Sequence, residues 1–324
     1  MEKPKFRFRR LRQSNGLRAL MRETRVHAED LILPIFVEEG IDTQVAIASM
    51  PGVVRYPESG LAEAVVDAWS SGVRAVLLFG VSHNKDACGS DSWDDDGLMA
   101  RIIRSAKLAR PEMVVISDNC FCEYTDHGHC GVVENDDVAN DQTLENLVKQ
   151  ALVAANAGAD MIAPSGMMDG MIAALRAGLD EAGFGHTPIM SYSTKFASAF
   201  YGPFRDAVDS TFKGSRDTYQ MSVANGREAV AESVQDEAEG ADILMVKPAT
   251  AFLDIIYRIR QNTTKPLAVY HVSGEYAMIK AAAAAGVIDE DAVVDETMIG
   301  FKRAGADLII TYYAKELAAK LKIQ

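Results

Sequence analysis

The chain repeats one pattern of hydrophobic and polar positions. A segment with helical periodicity ends at a glycine, and a small residue and often an aspartate then lead into a short apolar run. Gly72, Gly158, Gly240 and Gly305 mark four of these transitions. Glycine suits the left-handed position just past a helix end, and a continuous apolar run is typical of a strand buried on both faces. The pattern therefore predicts alternating helices and parallel strands.

Eight apolar runs fit such strands. They span residues 31–37, 75–79, 113–116, 161–163, 188–192, 243–246, 267–271 and 308–310. After the third run, apolar residues recur at helical spacing along one face, at Leu144, Leu147, Val148, Ala151, Leu152 and Ala155. Eight strands with helical connections predict an α/β fold, a (β/α)8 TIM barrel over residues 31–324. The alternative is an open doubly wound sheet, but no glycine-rich dinucleotide fingerprint follows the first strand.

Composition and charge narrow the class of protein. The 324 residues carry a formal net charge of -13, which argues against a general nucleic-acid or anionic-membrane surface. No apolar window reaches the length of about 18 residues that a membrane span needs. Few, clustered cysteines favour a reducing cytoplasm over a disulfide framework.

The first 30 residues form a separate basic segment. Its first 18 residues contain five arginines, Arg7, Arg9, Arg10, Arg12 and Arg18. Composition allows a solvated basic tail or an arm that wraps around an acidic neighbouring subunit. We expect residues 1–30 to be an extended N-terminal arm that makes oligomer contacts.

The barrel prediction has a consequence for function, because catalytic groups in such barrels lie at or just after the C-terminal ends of the strands. Polar and reactive residues fall at these places in six of the eight repeats. They are Asp118, Cys120, Cys122, Ser165, Lys195, Lys247, Ser273 and Tyr312.

Three of the four cysteines fall within eleven residues, at Cys120, Cys122 and Cys130. Thiolates at this spacing indicate a soft metal ion such as zinc rather than core packing. Zinc prefers four ligands, and a catalytic site leaves one position open for water or substrate. His127 and His129 lie in the same stretch and compete as candidate ligands.

Two lysines follow neighbouring strands. Lys247 ends the sixth apolar run, and Lys195 lies just past the fifth. Burial lowers the pKa of a lysine, and a second ammonium nearby lowers it further. A neutral amine attacks carbonyl groups to form a Schiff base. If both side chains point into one barrel mouth, we expect two amines near neutral pKa that hold two carbonyl substrates. Taken alone, each is also explained as an ordinary lysine at the protein surface. Arg205 and Arg216, in the long connection after Lys195, could clamp a carboxylate.

Five stretches in combination resemble the porphobilinogen synthase family, also called 5-aminolevulinate dehydratase. They begin at Ser117 (SDNCFCEYTDHGHCG), Met190 (MSYSTKFAS), Tyr201 (YGPFR), Leu244 (LMVKP) and Val272 (VSGEYAM). The resemblance runs from about residue 10 to the C-terminus. It implies the condensation of two molecules of 5-aminolevulinate to porphobilinogen, with loss of two waters, in tetrapyrrole synthesis.

The resemblance also implies roles for individual residues. Lys247 matches the lysine that forms a Schiff base with the substrate supplying the propionate side, and Lys195 matches the lysine that binds the second substrate. Carboxylate binding of the second substrate falls to Arg205, Arg216 and Gln220, and of the first to Ser273 and Tyr312. We hold Asp118 and Ser165 as candidates for assisting proton transfer.

Metals and assembly are implied in the same way. Cys120, Cys122 and Cys130 match the zinc-binding type of the family. Glu232 lies where some members bind an allosteric magnesium ion. The family implies a homo-oligomer, expected to be an octamer held together through the N-terminal arm, with a hexamer as the alternative assembly.

Two rival functions make different predictions. Another Schiff-base class I aldolase-like lyase would use zinc only structurally, so that chelation would affect stability and not turnover. A metal-dependent scaffold or regulatory protein would form no imine at Lys195 or Lys247 that borohydride could trap.

Overall fold

A computed structural model describes residues 4–209 and 214–322. Its central feature is a barrel of eight parallel strands, which confirms the predicted (β/α)8 architecture. The eight strands are β1 (Leu31–Glu38), β4 (Ala75–Val81), β5 (Val114–Asn119), β8 (Met161–Pro164), β9 (Met190–Lys195), β10 (Ile243–Lys247), β11 (Leu267–His271) and β12 (Leu308–Thr311).

The strands neighbour one another in the order β8-β5-β4-β1-β12-β11-β10-β9. A parallel bridge between Ile162 and Ile189 joins the two ends of this series and closes the barrel. Every residue of β10 and β11 is buried, as expected for parallel strands covered by side chains inside the barrel and by helices outside it. The predicted strands were therefore in the right places.

Helices follow the strands and cover the barrel. They are α1 (Asn15–Leu20), α2 (Leu61–Ser71), α3 (Leu98–Ala109), α4 (Asn140–Asn156), α5 (Met171–Glu181), α6 (Gly202–Ala207), α7 (Gly226–Glu239), α8 (Leu253–Arg260), α9 (Ser273–Ala284), α10 (Glu290–Ala304) and α11 (Ala314–Lys322). Gly72, Gly240 and Gly305 follow α2, α7 and α10 with φ of 112°, 113° and 120°. These glycines therefore end their helices as the repeat predicted.

Two strands extend three residues past the C-terminal ends of the apolar runs that predicted them. β9 continues through polar residues to Lys195, and β5 continues through Asp118 to Asn119. In β9, the Ser193 and Ser233 hydroxyl oxygens are 3.1 Å apart, and the Thr194 hydroxyl donates to the Ala229 carbonyl at 3.1 Å. Because α7 satisfies these hydroxyls, polar residues remain in a buried strand. Asp118 and Lys195 consequently lie within strands and not in the loops after them.

Shorter elements lie outside the barrel series. β2 (Val45–Ala46) pairs with β3 (Val54–Pro57), which also pairs with β1, and β6 (Val133–Glu134) pairs with β7 (Asp137–Val138). Single 3-10 turns occur at Phe8–Arg12, Ala28–Asp30, Glu58–Gly60, Ser90–Trp93, Ala199–Tyr201 and Thr250–Phe252.

The segment before the barrel packs little in this chain. The turn Phe8–Arg12 and helix α1 bury none of their residues. Across residues 4–209 and 214–322, no helix combines the length and the apolar character that crossing a bilayer requires.

Candidate active site

Two lysines lie side by side at the C-terminal rim of the barrel. Lys195 ends β9 and Lys247 ends β10, and the two are paired in register on these neighbouring strands. Each is only 5% exposed, and both line one cavity of about 240 Å³. The strand order thus brings together two amines that are 52 residues apart in the sequence.

Lys247 lies in an aromatic environment. Its Nζ is 4.3 Å from the ring centre of Tyr270 and 5.0 Å from that of Tyr192. Burial lowers the pKa of Lys247 to about 7, and the nearby charge of Lys195 acts in the same direction. A substantial fraction of this amine is therefore neutral, and nucleophilic, near pH 7.

Lys195 differs from the expected neutral amine. Its Nζ donates a hydrogen bond to the Ser165 carbonyl at 2.6 Å. Burial acts to lower the pKa of Lys195, but negative charge on the cysteines, Cys130 foremost, outweighs it and raises the pKa above its ordinary value. The pKa values of the two lysines therefore shift in opposite directions, because burial dominates at Lys247 and the charge of the cysteines, Cys130 foremost, dominates at Lys195.

A buried carboxyl group completes the polar base of this region. The Ser165 hydroxyl donates to Asp118 Oδ2 at 3.2 Å. Burial raises the pKa of Asp118 to about 6, although the charges of Lys247 and Lys195 oppose this shift. An acid with a pKa near neutrality can both donate and accept protons at physiological pH.

The three clustered cysteines converge on one point. Their sulfur atoms all lie within 4.8 Å of one another, and the three residues are buried. Cys120 Sγ and Cys122 Sγ are 3.3 Å apart. Hydrogen bonds from Cys120 and Cys122 hold the pKa of Cys130 well below its usual range. Three converging sulfurs fit a soft cation with a position left for another ligand.

The two histidines of this stretch make other contacts. His127 Nε2 is 3.1 Å from the Ala87 carbonyl oxygen, and His129 Nδ1 is 3.2 Å from the Tyr219 hydroxyl. In the parts of the chain that the structure describes, the group of metal-ligating side chains contains the three cysteines and neither histidine.

The remaining candidate substrate-binding residues line the same cavity. They are Arg205, Arg216, Gln220, Ser273 and Tyr312. The hydroxyl oxygens of Tyr312 and Tyr270 are 3.3 Å apart, and an Arg216 Nη donates to the Gly128 carbonyl at 2.8 Å. Gln220 is buried, and its amide nitrogen has no hydrogen-bond partner among the described residues. Two guanidinium groups, an amide and two hydroxyl groups can bind carboxylates beside the two amines.

Comparison with known proteins assigns this combination to a family. The family model described as delta-aminolevulinic acid dehydratase matches residues 5–320. The chain is 59% identical over 312 residues to the delta-aminolevulinic acid dehydratase of Escherichia coli (strain K12), covering 96% of each chain. It is 52% identical over 320 residues to the corresponding protein of Helicobacter pylori, covering 98% of each. The chain belongs to the delta-aminolevulinic acid dehydratase family.

A solved structure of the family agrees with the fold. The delta-aminolevulinic acid dehydratase (porphobilinogen synthase) of Toxoplasma gondii ME49, in complex with its reaction product porphobilinogen, aligns with a TM-score of 0.95 and 44% identity. The alignment covers 97% of this chain and 91% of that one. The resemblance inferred from the five sequence stretches is thereby confirmed, and the chain is a member of an enzyme family.

Four predicted site residues do not line the cavity: Asp118, Cys120 and Cys130, which are buried next to residues that do, and Glu232, which lies on a helix outside the barrel. Glu232 is on α7, half-buried, and does not line the pocket. Burial raises its pKa to about 7, and the nearby carboxylates of Glu228, Asp236 and Asp169 act in the same direction. Glu232 therefore lies in an acidic environment of its own, separate from the lysines and thiols.

Sequence reasoning missed several cavity residues of this dehydratase. Tyr270 and Phe79 lie inside apolar strands, where nothing in the pattern distinguishes a pocket aromatic from a core aromatic. Glu123 also lines the cavity, next to Cys122. The sequence could have identified Glu123, because it directly follows a candidate metal-ligating thiol, and carboxylates next to the direct ligands support metal sites.

Proposed function

We propose that this chain condenses two molecules of 5-aminolevulinate into one porphobilinogen, releasing two waters, as a step of tetrapyrrole synthesis. The observation that carries the proposal is the pairing of Lys195 and Lys247 in one cavity. Two identical substrates that each carry a ketone and a carboxylate require two amines and two carboxylate-binding groups. The cavity lining contains both kinds of group.

Lys247 acts as the nucleophile toward the ketone of the substrate that supplies the propionate side. Its amine attacks the carbonyl carbon, water leaves, and the resulting iminium withdraws electrons from the adjacent carbon. Ser273 and Tyr312 bind the carboxylate of the same substrate. The low pKa of Lys247 supports its role as the nucleophile, because neutral amine is available without a separate base.

Lys195 binds the second substrate through its own imine. The amine must lose a proton before it attacks the ketone. A cation held by the three cysteines would offset the thiolate charge that raises the pKa of Lys195. Arg205, Arg216 and Gln220 hold the second carboxylate and orient the substrate. Orientation of two bound reactants can account for much of the rate acceleration.

Cys120, Cys122 and Cys130 would hold a zinc ion, which supplies a Lewis acid at the second substrate. The fit rests on three buried sulfurs within 4.8 Å of one another. Thiolates select soft cations over magnesium or calcium.

Asp118 and Ser165 move protons between the substrates. The Ser165 hydroxyl and the Asp118 carboxyl are joined by a hydrogen bond, and the pKa of Asp118, about 6, suits exchange in both directions. A hydroxyl group leaves as water only after it gains a proton, which such a pair can supply, and the pair can accept the protons that carbon and nitrogen lose as the pyrrole forms.

Further parts of the proposal concern assembly and regulation. The arm of residues 1–30 joins subunits of a homo-octamer, with a hexamer as the alternative, and the enzyme works in the cytoplasm. Exposed apolar side chains of the arm support the assembly, among them Phe6, Phe8, Leu11 and Leu20. Glu232 contributes to an allosteric magnesium site.

The experiment is incubation of the zinc-supplied chain with 5-aminolevulinate, followed by a colour test for a pyrrole and by borohydride trapping. We expect pyrrole formation and reduced adducts on the peptides that carry Lys247 and Lys195. Lys247→Gln should abolish pyrrole formation and its own adduct. Absence of both pyrrole and adduct from the parent chain would overturn the proposal.

A further inference from the structure

Glu123 is a buried carboxylate that none of the roles above uses. It is 2% exposed and lines the same cavity as the two lysines. Its Oε2 accepts a hydrogen bond from Cys122 Sγ at 3.2 Å. Its Oε1 is buried and has no hydrogen-bond partner within the described residues. One oxygen therefore faces a candidate metal ligand, and the other has nothing to compensate its burial.

Such an arrangement is unfavourable in the metal-free chain. An ionised carboxylate loses hydration on burial and needs a compensating charge or several hydrogen bonds. Asp118, whose charge acts on Glu123, is a second buried acid nearby. The Glu123 Oε1 is therefore positioned to interact with positive charge that binds next to it.

The charges around the thiols show what would compensate the burial of Glu123. The positive charges of Arg216 and Lys195 lower the pKa of Cys130 and so favour its thiolate form. A divalent ion at the three sulfurs would bring positive charge next to the buried Glu123 carboxyl group, whose Oε1 has no hydrogen-bond partner among the described residues.

The position of Glu123 determines how it can act. The set of ligand atoms within 4.8 Å of one another comprises the three sulfurs and, in the described parts of the chain, no Glu123 oxygen. Glu123 therefore adjoins the three-sulfur site without being part of it. Carboxylates that support the direct ligands typically change metal affinity about 10–100-fold.

We propose that Glu123 is a positioning residue of the metal centre, whose carboxylate charge increases the affinity of the three-cysteine site for a divalent cation from the shell next to the sulfurs. This inference rests on the proposed metal site at Cys120, Cys122 and Cys130 and adds a fourth side chain to it. A role limited to packing the loop would need the side chain's volume and hydrogen bond and would not need its charge.

Three variants separate charge from shape. Glu123→Gln keeps the volume and an oxygen that accepts from Cys122 but removes the charge. Glu123→Asp keeps the charge on a shorter side chain. Glu134→Gln is the matched control, because Glu134 is an exposed acid on β6 in the connection between β5 and α4, where solvent screens its charge.

The measurement is zinc affinity of the full chain, stripped with a chelator and titrated with Zn2+ against a competing chromogenic chelator at pH 7.5. We expect Glu123→Gln to bind zinc about 10–100-fold more weakly. Glu123→Asp should retain most of the affinity, and Glu134→Gln should stay within about twofold of the parent. The melting temperature of the metal-free Glu123→Gln chain should stay close to that of the parent, because the amide keeps the volume of the side chain and the oxygen that contacts Cys122.

Two results would overturn the role of Glu123. One is a Glu123→Gln affinity within twofold of the parent. The other is a metal-free melting temperature that falls together with the affinity, which would make Glu123 a part of the loop's packing. A parent chain that binds no zinc would instead overturn the metal site itself, so the two failures are distinguishable.

Discussion

Lys247 lies opposite Lys195 on the neighbouring strand, with the two residues in register. The pKa of Lys247 is lowered to about 7 by burial and, next in size, by the charge of Lys195. The pKa of Lys195 is raised, because the nearby thiolates outweigh its burial. Lys195 therefore adds to the effect of burial in lowering the pKa of its neighbour, while its own pKa is raised.

Replacing Lys195 with Gln should raise the pKa of Lys247. The substitution removes a cation that disfavours protonation, so less neutral amine is present at pH 7 and imine formation should require higher pH. The measurement is the pH dependence of the initial rate of borohydride-trapped adduct formation at Lys247 with 5-aminolevulinate. Lys149→Gln, an exposed lysine on α4, is the control, and an acidic limb unchanged by Lys195→Gln would contradict the coupling.

Replacing Asp118 with Asn should shift Lys247 in the opposite direction. The negative charge of Asp118 raises the pKa of Lys247, so its removal should lower that pKa and extend imine formation to more acidic pH. Overall turnover should nevertheless fall, by about 10²–10⁴-fold if Asp118 transfers protons. Adduct formation and pyrrole formation, measured on the same variant, should therefore change in opposite directions below pH 7. Full pyrrole turnover would exclude Asp118 from proton transfer.

The barrel could be predicted from the sequence because each strand is a local apolar run. A glycine at the end of a helix and a buried strand after it are both determined by neighbours in the chain, so the eight strands fell in the right places. The extension of β9 to Lys195 could not be predicted in the same way. Ser193 and Thr194 are polar, and their partners Ser233 and Ala229 lie on a helix more than 30 residues later.

The candidate site could be predicted only as far as residue type and position at the rim indicate chemistry. Lysines, cysteines and arginines at strand ends were identified because their side chains are unusual in those places. The difference in pKa between the two lysines was not predictable, because it depends on which amine the folded loop brings close to Cys130. Tyr270 remained unrecognised because an aromatic residue in a strand resembles core packing until the cavity beside it is known.

Removing the metal should abolish pyrrole formation, and zinc should restore it. The thiols must lose their protons to bind a cation, and hydrogen bonds with Cys120 and Cys130, together with burial, raise the pKa of Cys122. Zinc affinity should therefore fall as the pH is lowered, since protons compete with the metal. Turnover and melting temperature are measured together over a chelator titration. Retained turnover with a lower melting temperature would favour the aldolase-like alternative with a structural zinc.

Glu232 should control the response to magnesium without affecting basal turnover. Its pKa of about 7 reflects burial first and the surrounding carboxylates second. A carboxyl group with this pKa is increasingly protonated below pH 7, so stimulation by magnesium should weaken as the pH falls through 7. Glu232→Gln should remove the stimulation at every pH, as measured by turnover with and without Mg2+. A stimulation that persists in this variant would place the magnesium elsewhere.

Charged substitutions in the N-terminal arm should reduce the size of the assembly. Phe8 and Leu11 are 79% and 52% exposed in the single chain, so Phe8→Asp and Leu11→Asp remove no packing from the barrel. If the arm packs on a neighbouring subunit, each substitution buries a charge at that contact, which is costly unless the charge is paired. Light scattering and sedimentation should then show smaller species, while the metal-free melting temperature of the barrel changes little. Leu108→Asp, on α3 and 86% exposed, introduces the same charge outside the arm. An equal loss of mass in Leu108→Asp, or none in the arm variants, would mean that the subunits associate through a different surface.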